Sequence, residues 1–410
     1  MPVCCRSLSL LILLTTTVLL TGCAMPSSNR FGTPSLPYPP DKTPVVGDIL
    51  HLPTGVFVLP KQMLAAATDS RVVYVGETHD NPASHRLQLD VLRAMADRYP
   101  GQLSLGMEMF NIEQQAVLDR WVAGEIDEKT FLKESDWYGN WRMDFAYYQE
   151  ILDFAREQRI PVLALNAPKD LVDAVGETPV AEMPADLQDR LPEMDMTDPY
   201  QRAMSEAVFA DHPVGEQQVE RFIRVQTLWD EIMAANVAEE LQRKGPAHRM
   251  VVLAGGNHVR YGFGIPRRVF RRLPVSYTLI GGREIEVPKE KQARMMDVEK
   301  PDYPLLPYDY LVFTSYESLP GDKVMLGIQM KEEDGQVVVS GVMPESTAAA
   351  AGVSKGDVIL KLGTVDVQEM FDLVYEVGQK QTGDETVLTV ERDGERLELP
   401  VLFKPLPEHH

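Results

Sequence analysis

Residues 72–85 read VVYVGETHDNPASH. Val72 to Val75 form an unbroken apolar run, the pattern of a strand buried on both faces rather than on one. Gly76 breaks the run. A carboxylate (Glu77), a hydroxyl (Thr78) and two imidazoles (His79 and His85) then follow, in a chain with eight histidines. Pro82 fits a first helical position, where its missing N–H is harmless, with Asn81 or Asp80 as N-cap. Strand, polar turn and helix in this order open a βα unit whose turn carries reactive groups.

The same alternation continues along the chain. Apolar runs predict strands over 71–76, 103–109, 160–165, 250–254 and 275–280. Helical patterns cover 82–99, 112–122, 145–158, 214–243 and 266–273. The fold class that follows is α/β, a mainly parallel sheet flanked by helices. Residues 177–213 are acidic, carry several prolines and break the rhythm, as an insertion or lid does. Beyond residue 320 short strands, glycine turns and one Ala-rich helix take over. The sequence Ala351-Gly352-Val353, then Gly356-Asp357-Val358-Ile359, then Gly363, resembles the bacterial type of PDZ domain over residues 322–404. That resemblance implies a small β-rich domain. Its loop and first strand at Met325, Leu326, Gly327 and Ile328 would receive a peptide or protein C-terminus.

The formal net charge of −21 argues against sequence-independent nucleic-acid binding, which needs clustered Lys and Arg. Residues 1–22 place Arg6 before an apolar run that is short for a membrane span. The run ends in Leu20-Thr21-Gly22-Cys23, which resembles the bacterial lipobox. The resemblance implies a signal peptide over 1–22 and lipidation of Cys23. Ala24, rather than aspartate, points to an outer-membrane anchor facing the periplasm. Residues 23–47 are rich in Pro, Ser and Gly and read as a tether. With Cys4 and Cys5 in the signal and Cys23 lipidated, no cysteine remains for a disulfide or a thiolate metal site. The ligand-binding domain then spans 48–316.

Ligands of open parallel sheets bind beyond the carboxyl ends of the strands. Glu77, His79 and His85 follow the first strand, Glu108 ends the second and Asn166 follows the third. Gly255-Gly256-Asn257-His258-Val259-Arg260-Tyr261 follows the fourth. Gly76-x-x-His79 and Gly255-x-x-His258 share one spacing. With VYVGETHDNPASH, GMEMF, QTLWDEIMA (226–234) and AGGNHVRYGFGIP in order, residues 50–315 resemble the Tiki superfamily, and most of all its ChaN-like haem-binding lipoproteins.

Two functions follow from that resemblance. In the first the chain binds haem for iron uptake or handling, in a pocket shared by two subunits of a homodimer. Tyr261 is the first choice of iron ligand, with His85 or His258 next. Arg260, Arg267 and Arg268 would pair with propionates. Phe110, Trp137, Tyr138 and Trp141 would line an apolar slot. In the second the chain is a protease or esterase. Glu77, His79, Glu108 and His258 would be catalytic, or His79, His258 and Glu108 would hold a divalent metal ion and activate water. Blander readings stand beside these. His85 is in register with Leu89 and Leu92 and fits a core position. His51, His212 and His248 lie outside the motifs and read as structural. Glu108 has the reach to cap a helix. Gln226 and Asp230, one turn apart, have the reach to join the site.

Overall fold

A computed structural model describes residues 33, 36–209, 215–292, 301–319 and 324–404. The signal-like stretch, Cys23, His212 and the terminal histidine pair lie outside the described residues. Eight strands form the first sheet: β1 (Ile49–His51), β2 (Val56–Val58), β3 (Val72–Glu77), β4 (Leu103–Asn111), β5 (Val162–Asn166), β6 (Arg249–Gly255), β7 (Tyr277–Glu286) and β8 (Tyr310–Ser315). Their order is β2-β1-β8-β7-β3-β6-β4-β5. The six strands from β8 to β5 run parallel, and β1 pairs antiparallel with β8 and β2. The parallel sheet expected from the sequence is therefore present, with a short antiparallel hairpin added at one edge.

Alternate residues of β3 serve two cores. Val73 and Val75 pack among Leu89, Leu92 and Met95 of the helix Pro82–Arg98. Val72 and Tyr74 pack on the other face, against Met233, Val237 and Leu241 of the long helix Glu216–Lys244. Both faces are covered, which is why β3 reads as continuous apolar sequence. Asn81 caps the helix after β3, its side chain accepting from the Ala83 N–H at 3.1 Å. At the β5 edge the Gln115 side chain donates to the Val162 carbonyl and accepts from the Ala164 N–H, both at 2.9 Å.

Some elements depart from expectation. The segment 112–122 opens as a 3-10 turn, Ile112–Gln114, before the helix Gln115–Ala123. The segment 145–158 divides into a 3-10 turn, Phe145–Tyr147, and the helix Gln149–Glu157. Tyr148 sits at the break and turns its ring into the interior. The strand expected over 275–280 runs instead over Tyr277–Glu286. The 177–213 excursion holds short helices, among them Pro199–Phe209.

The PDZ domain is a separate antiparallel sheet of β9 (Ile328–Glu333), β10 (Gln336–Val342), β11 (Val358–Leu362), β12 (Val365–Asp366), β13 (Glu385–Arg392) and β14 (Glu395–Leu402). Its Gly-Asp motif has a physical cause. Asp357 accepts two bonds from the Arg392 guanidinium, at 2.7 and 2.8 Å, and one from the Ser354 N–H. Gly352 ends the helix Thr347–Ala351 with φ +82°, a conformation that glycine adopts without a Cβ penalty.

Candidate functional site

Glu77 is the last residue of β3, and its side chain is fully enclosed. One carboxylate oxygen accepts from His79 Nδ1 and from the Tyr148 hydroxyl, both at 2.7 Å. The other accepts from Gln88 at 2.6 Å and lies 3.5 Å from His85 Nδ1. Burial pushes the Glu77 carboxyl up, but the His79 bond, the neighbouring imidazoles and the Tyr148 bond hold it below its usual value. Burial works against protonation of His79 too. The hydrogen bond and charge of Glu77, with the charge of Glu108, outweigh it and raise His79 to about 9.

A second cluster stands at the ends of β4 and β6. Glu108 accepts from the Gly255 N–H at 2.6 Å and lies 3.3 Å from His258 Nε2. His258 Nδ1 bonds Asp230 at 2.7 Å. Burial raises the Glu108 carboxyl, yet His258, His79 and the Gly255 N–H bring it down to about 2. Burial also opposes charge on His258, and the two flanking carboxylates override it and raise His258 well above its usual value. Asp230 thus joins the site from the long helix, while Glu108 also holds the N–H of Gly255, the residue just before the helix Gly256–Val259.

The two GxxH motifs interlock through their glycines. A Cβ on Gly255 would lie 2.9 Å from His79 Cε1 and 3.1 Å from its Nε2. A Cβ on Gly76 would meet the Tyr308 hydroxyl at 3.2 Å and Gly256 Cα at 3.3 Å. Each glycine is the space into which the other motif folds.

These groups line a cleft of about 1000 Å³ beyond the strand ends. His79, Trp141, Met109, Met143, Trp229 and Arg260 contribute to its walls. The His79 side chain is one-third exposed, and its ring meets Trp141 edge-on at 5.0 Å. Its Nδ1 is held by Glu77, which leaves Nε2, lying over Gly255 at the cleft wall, as the nitrogen available to a ligand. Arg260 makes only a 3.4 Å bond to the Tyr308 hydroxyl and lies over that ring. It has no carboxylate partner among the described residues.

Other expected site residues fall elsewhere. His85 is buried, with Nε2 donating to the His79 carbonyl at 3.0 Å and Nδ1 3.1 Å from Gln88, so it positions the site without reaching the cleft. Tyr261 is not on the cleft wall. Its ring packs against Phe263 and Tyr303, and burial raises its phenol. It holds φ +62°, a left-handed conformation rare for a side chain of this size. Arg268 is fully buried beside Glu231, and Arg267 pairs with Asp195 and Asp198, so neither is available to a ligand. Phe110 and Trp137 belong to the core, Tyr138 is half-buried at its margin, and Trp141 alone of the four lines the cleft.

His79, His258 and Glu108 meet, but each carboxylate–imidazole contact satisfies the other. Among the described residues no group of three His, Cys, Asp or Glu side chains is arranged to hold a metal ion. Tyr148 and Gln88 are members that the sequence reading missed. Gln88 lies one helical turn after His85, and that i+3 spacing is the available signal. Tyr148 carries none, since its role depends on the helix break.

A family model for haem-binding uptake proteins of the Tiki superfamily, ChaN, matches residues 63–269. A PDZ domain model matches residues 324–402. Protein RETICULATA-RELATED 5 of Arabidopsis thaliana, a chloroplastic protein, is 22% identical over 251 residues, 57% of this chain and 34% of that one. Serine endoprotease DegS of Haemophilus influenzae is 30% identical over 84 residues, 20% of this chain and 24% of its own. The chain therefore spans well under half the length of either curated relative. ChaN of Campylobacter jejuni, solved in a study of its cofacial haem binding, superposes with a TM-score of 0.50 at 15% identity. The match covers 65% of this chain and 95% of that one, and it establishes the shared fold.

Proposed function

The chain belongs to the ChaN family of haem-binding uptake proteins in the Tiki superfamily, and from that premise we propose that it binds haem in the strand-end cleft, with His79 Nε2 as iron ligand. The observation that carries this reading is the state of His79. Its Nδ1 is fixed to the buried Glu77 carboxylate at 2.7 Å while Nε2 faces a cleft of about 1000 Å³. A carboxylate behind a ligating histidine fixes its orientation and strengthens it as a donor. Glu77 and Glu108 keep the free imidazole protonated at neutral pH, so iron would bind by displacing the Nε2 proton. The room suits a ligand of haem size. Haem, when bound, supplies the iron. The residues of the chain orient the ring, exclude water and neutralise its acids. Trp141, Met143 and Trp229 offer apolar contact, and Arg260 offers a guanidinium for a propionate.

Tyr261, the first expectation for the ligand, faces a separate aromatic cluster with Phe263 and Tyr303 and does not line the cleft. A haemin titration of the full chain, followed by its Soret band, separates the two. His79→Ala is expected to weaken binding by at least about tenfold and shift the band, since even outer-shell changes cost about 10–100-fold. Tyr261→Phe is expected to do neither. The opposite pattern overturns the assignment.

The sequence at residues 20–23 supports anchoring through a lipid on Cys23, at the outer membrane and facing the periplasm. No helix among the described residues is long and apolar enough to cross a membrane. Loss of membrane fractionation in Cys23→Ala tests the anchor. A homodimer that shares the haem pocket belongs to the same reading, and ultracentrifugation with and without haemin tests it.

One observation favours hydrolysis as a second reading. The Glu77–His79 pair presents a protonated imidazole to the cleft, in reach of a leaving group. Turnover of peptide or ester substrates that disappears in His79→Ala, together with no haemin affinity, would place this reading first.

A further inference from the structure

The PDZ helix Met370–Gly378 has two working faces. Met370, Leu373 and Val377 pack into the PDZ core beside β9. Phe371 and Tyr375 pack instead on the core of the ligand-binding domain. Phe371 lies 6.2 Å from the Tyr138 ring, and the Tyr375 hydroxyl reaches Glu128 at 3.4 Å. Lys129 lies 3.5 Å from Asp372 and 3.3 Å from Glu376, and Lys133 pairs with Glu369. Every acid in these three pairs is on the PDZ side and every base on the ligand-domain side.

The partner of that helix leads directly into a wall of the cleft. Tyr138 belongs to the short helix Trp137–Asn140, and the next two residues, Trp141 and Arg142, line the cleft beside His79. Asp136 at φ +45° and Arg142 at φ +64° bracket this segment. Neither is glycine, so the segment is held in an unfavourable backbone conformation by its surroundings. A second route runs behind the site. A space of about 420 Å³ lies between His85 and Tyr147 on one side and Gly378, Lys380 and Gln381 of the PDZ domain on the other. His85 holds the His79 carbonyl from there.

The far side of the same helix faces a groove. β9 is an edge strand. Met325, Met343 and Val374 are exposed around it. Among the described residues no group accepts the N–H bonds of Leu326 and Gly327. Backbone donors at the closed end of an apolar groove beside an open edge suit a peptide with a free C-terminal carboxylate and an apolar last residue.

We propose that peptide occupancy of the PDZ groove is linked to ligand affinity in the strand-end cleft, with the helix Met370–Gly378 as the shared element. A peptide wedged between β9 and this helix shifts the helix against residues 128–138, and the strained segment 136–142 moves Trp141 relative to His79. The linkage is reciprocal, so a cleft ligand alters peptide affinity by the same factor. The cleft ligand rests on the haem reading; the mechanical link does not.

The test uses the full chain. The groove probe is a library of decapeptides with free carboxyl ends in Val, Leu, Ile or Phe, with amidated copies as controls. Amide hydrogen exchange is read at residues 136–142, and haemin affinity is read with and without saturating peptide. The expected result is peptide binding, altered exchange in 136–142, and a haemin Kd changed by about fivefold or more. Lys129→Glu with Lys133→Glu should abolish the change while leaving both separate affinities in place. Adding Glu369→Lys and Glu376→Lys should restore it. Unaltered exchange at saturating peptide, or a library in which nothing binds, overturns the proposal. Altered exchange in a protein that takes no haemin would keep the link and reject haem as the ligand.

Discussion

Gly255→Ala isolates the interlock between the two GxxH motifs. Gly255 has φ −53° and ψ 144°, which any residue adopts, so the backbone does not resist the change. The new methyl would sit 2.9 Å from His79 Cε1, 3.1 Å from Nε2 and 3.5 Å from a Glu108 oxygen. The imidazole must retreat or rotate, and rotation breaks its 2.7 Å bond to Glu77. A hydrogen bond to a charged group contributes about 1.5–3 kcal/mol, and partial exposure of His79 reduces that. Removing a glycine from the unfolded chain returns about 0.4–1 kcal/mol. The net expectation is a loss of about 1 kcal/mol, or about 2–4 °C in Tm. The site should suffer more than the fold, with haemin affinity falling by about tenfold or more as the ligand is displaced. Calorimetry and a Soret titration on one preparation read both quantities. A variant with unchanged Tm and wild-type haemin affinity would refute the claim that Gly255 sets the position of His79.

Tyr148→Phe removes one donor from the enclosed Glu77 and should destabilise by about 1–2 kcal/mol in urea titrations. His258→Ala leaves Asp230 and Glu108 buried without their partner, so a loss of about 3–5 kcal/mol is expected, with Asp230→Asn milder. The pH dependence has two limbs. Glu108 is held down to about 2, so its contribution is complete above its ordinary 4.5 and is lost as pH falls toward 2. His79 is raised to about 9, so its contribution is complete below 6.5 and is lost as pH rises through 9. A Tm series across this range should show both limbs, and His79→Ala should flatten the alkaline one.

The sequence exposes the parallel sheet because β3, β4 and β6 are buried on both faces and so are mainly apolar, with their carboxylates Glu77 and Glu108 toward the ends. The same reasoning points to Glu77, His79, Glu108 and His258, since strand ends are where polar residues meet. The three-residue strands β1 and β2 carry too little pattern to be read, and β8 lies beyond a proline-rich stretch that hides it. The charge pairing inside the site is equally invisible. Nothing local tells that Arg268 is enclosed with Glu231 while Arg260 has no carboxylate partner among the described residues. That distinction depends on tertiary placement: Arg268 meets Glu231 of the long helix, and Arg260 meets the ring of Tyr308. Tyr261 shows the same limit, because its motif is legible and the direction of its ring is not.

The sheet edges differ in a way that governs which other chains can attach by backbone pairing. At β5 the amide of Gln115 imitates one residue of a neighbouring strand, so the edge is already answered. At the opposite edge β2 offers only three residues. In the PDZ sheet, β14 carries Pro400, which has no N–H to give, and the charged Glu395, Arg396 and Glu398 before it. The first half of β9 has none of these defences. Among the described residues, the edge left open to backbone pairing is this one, and it adjoins the helix that packs on Tyr138, three residues before Trp141 of the cleft wall.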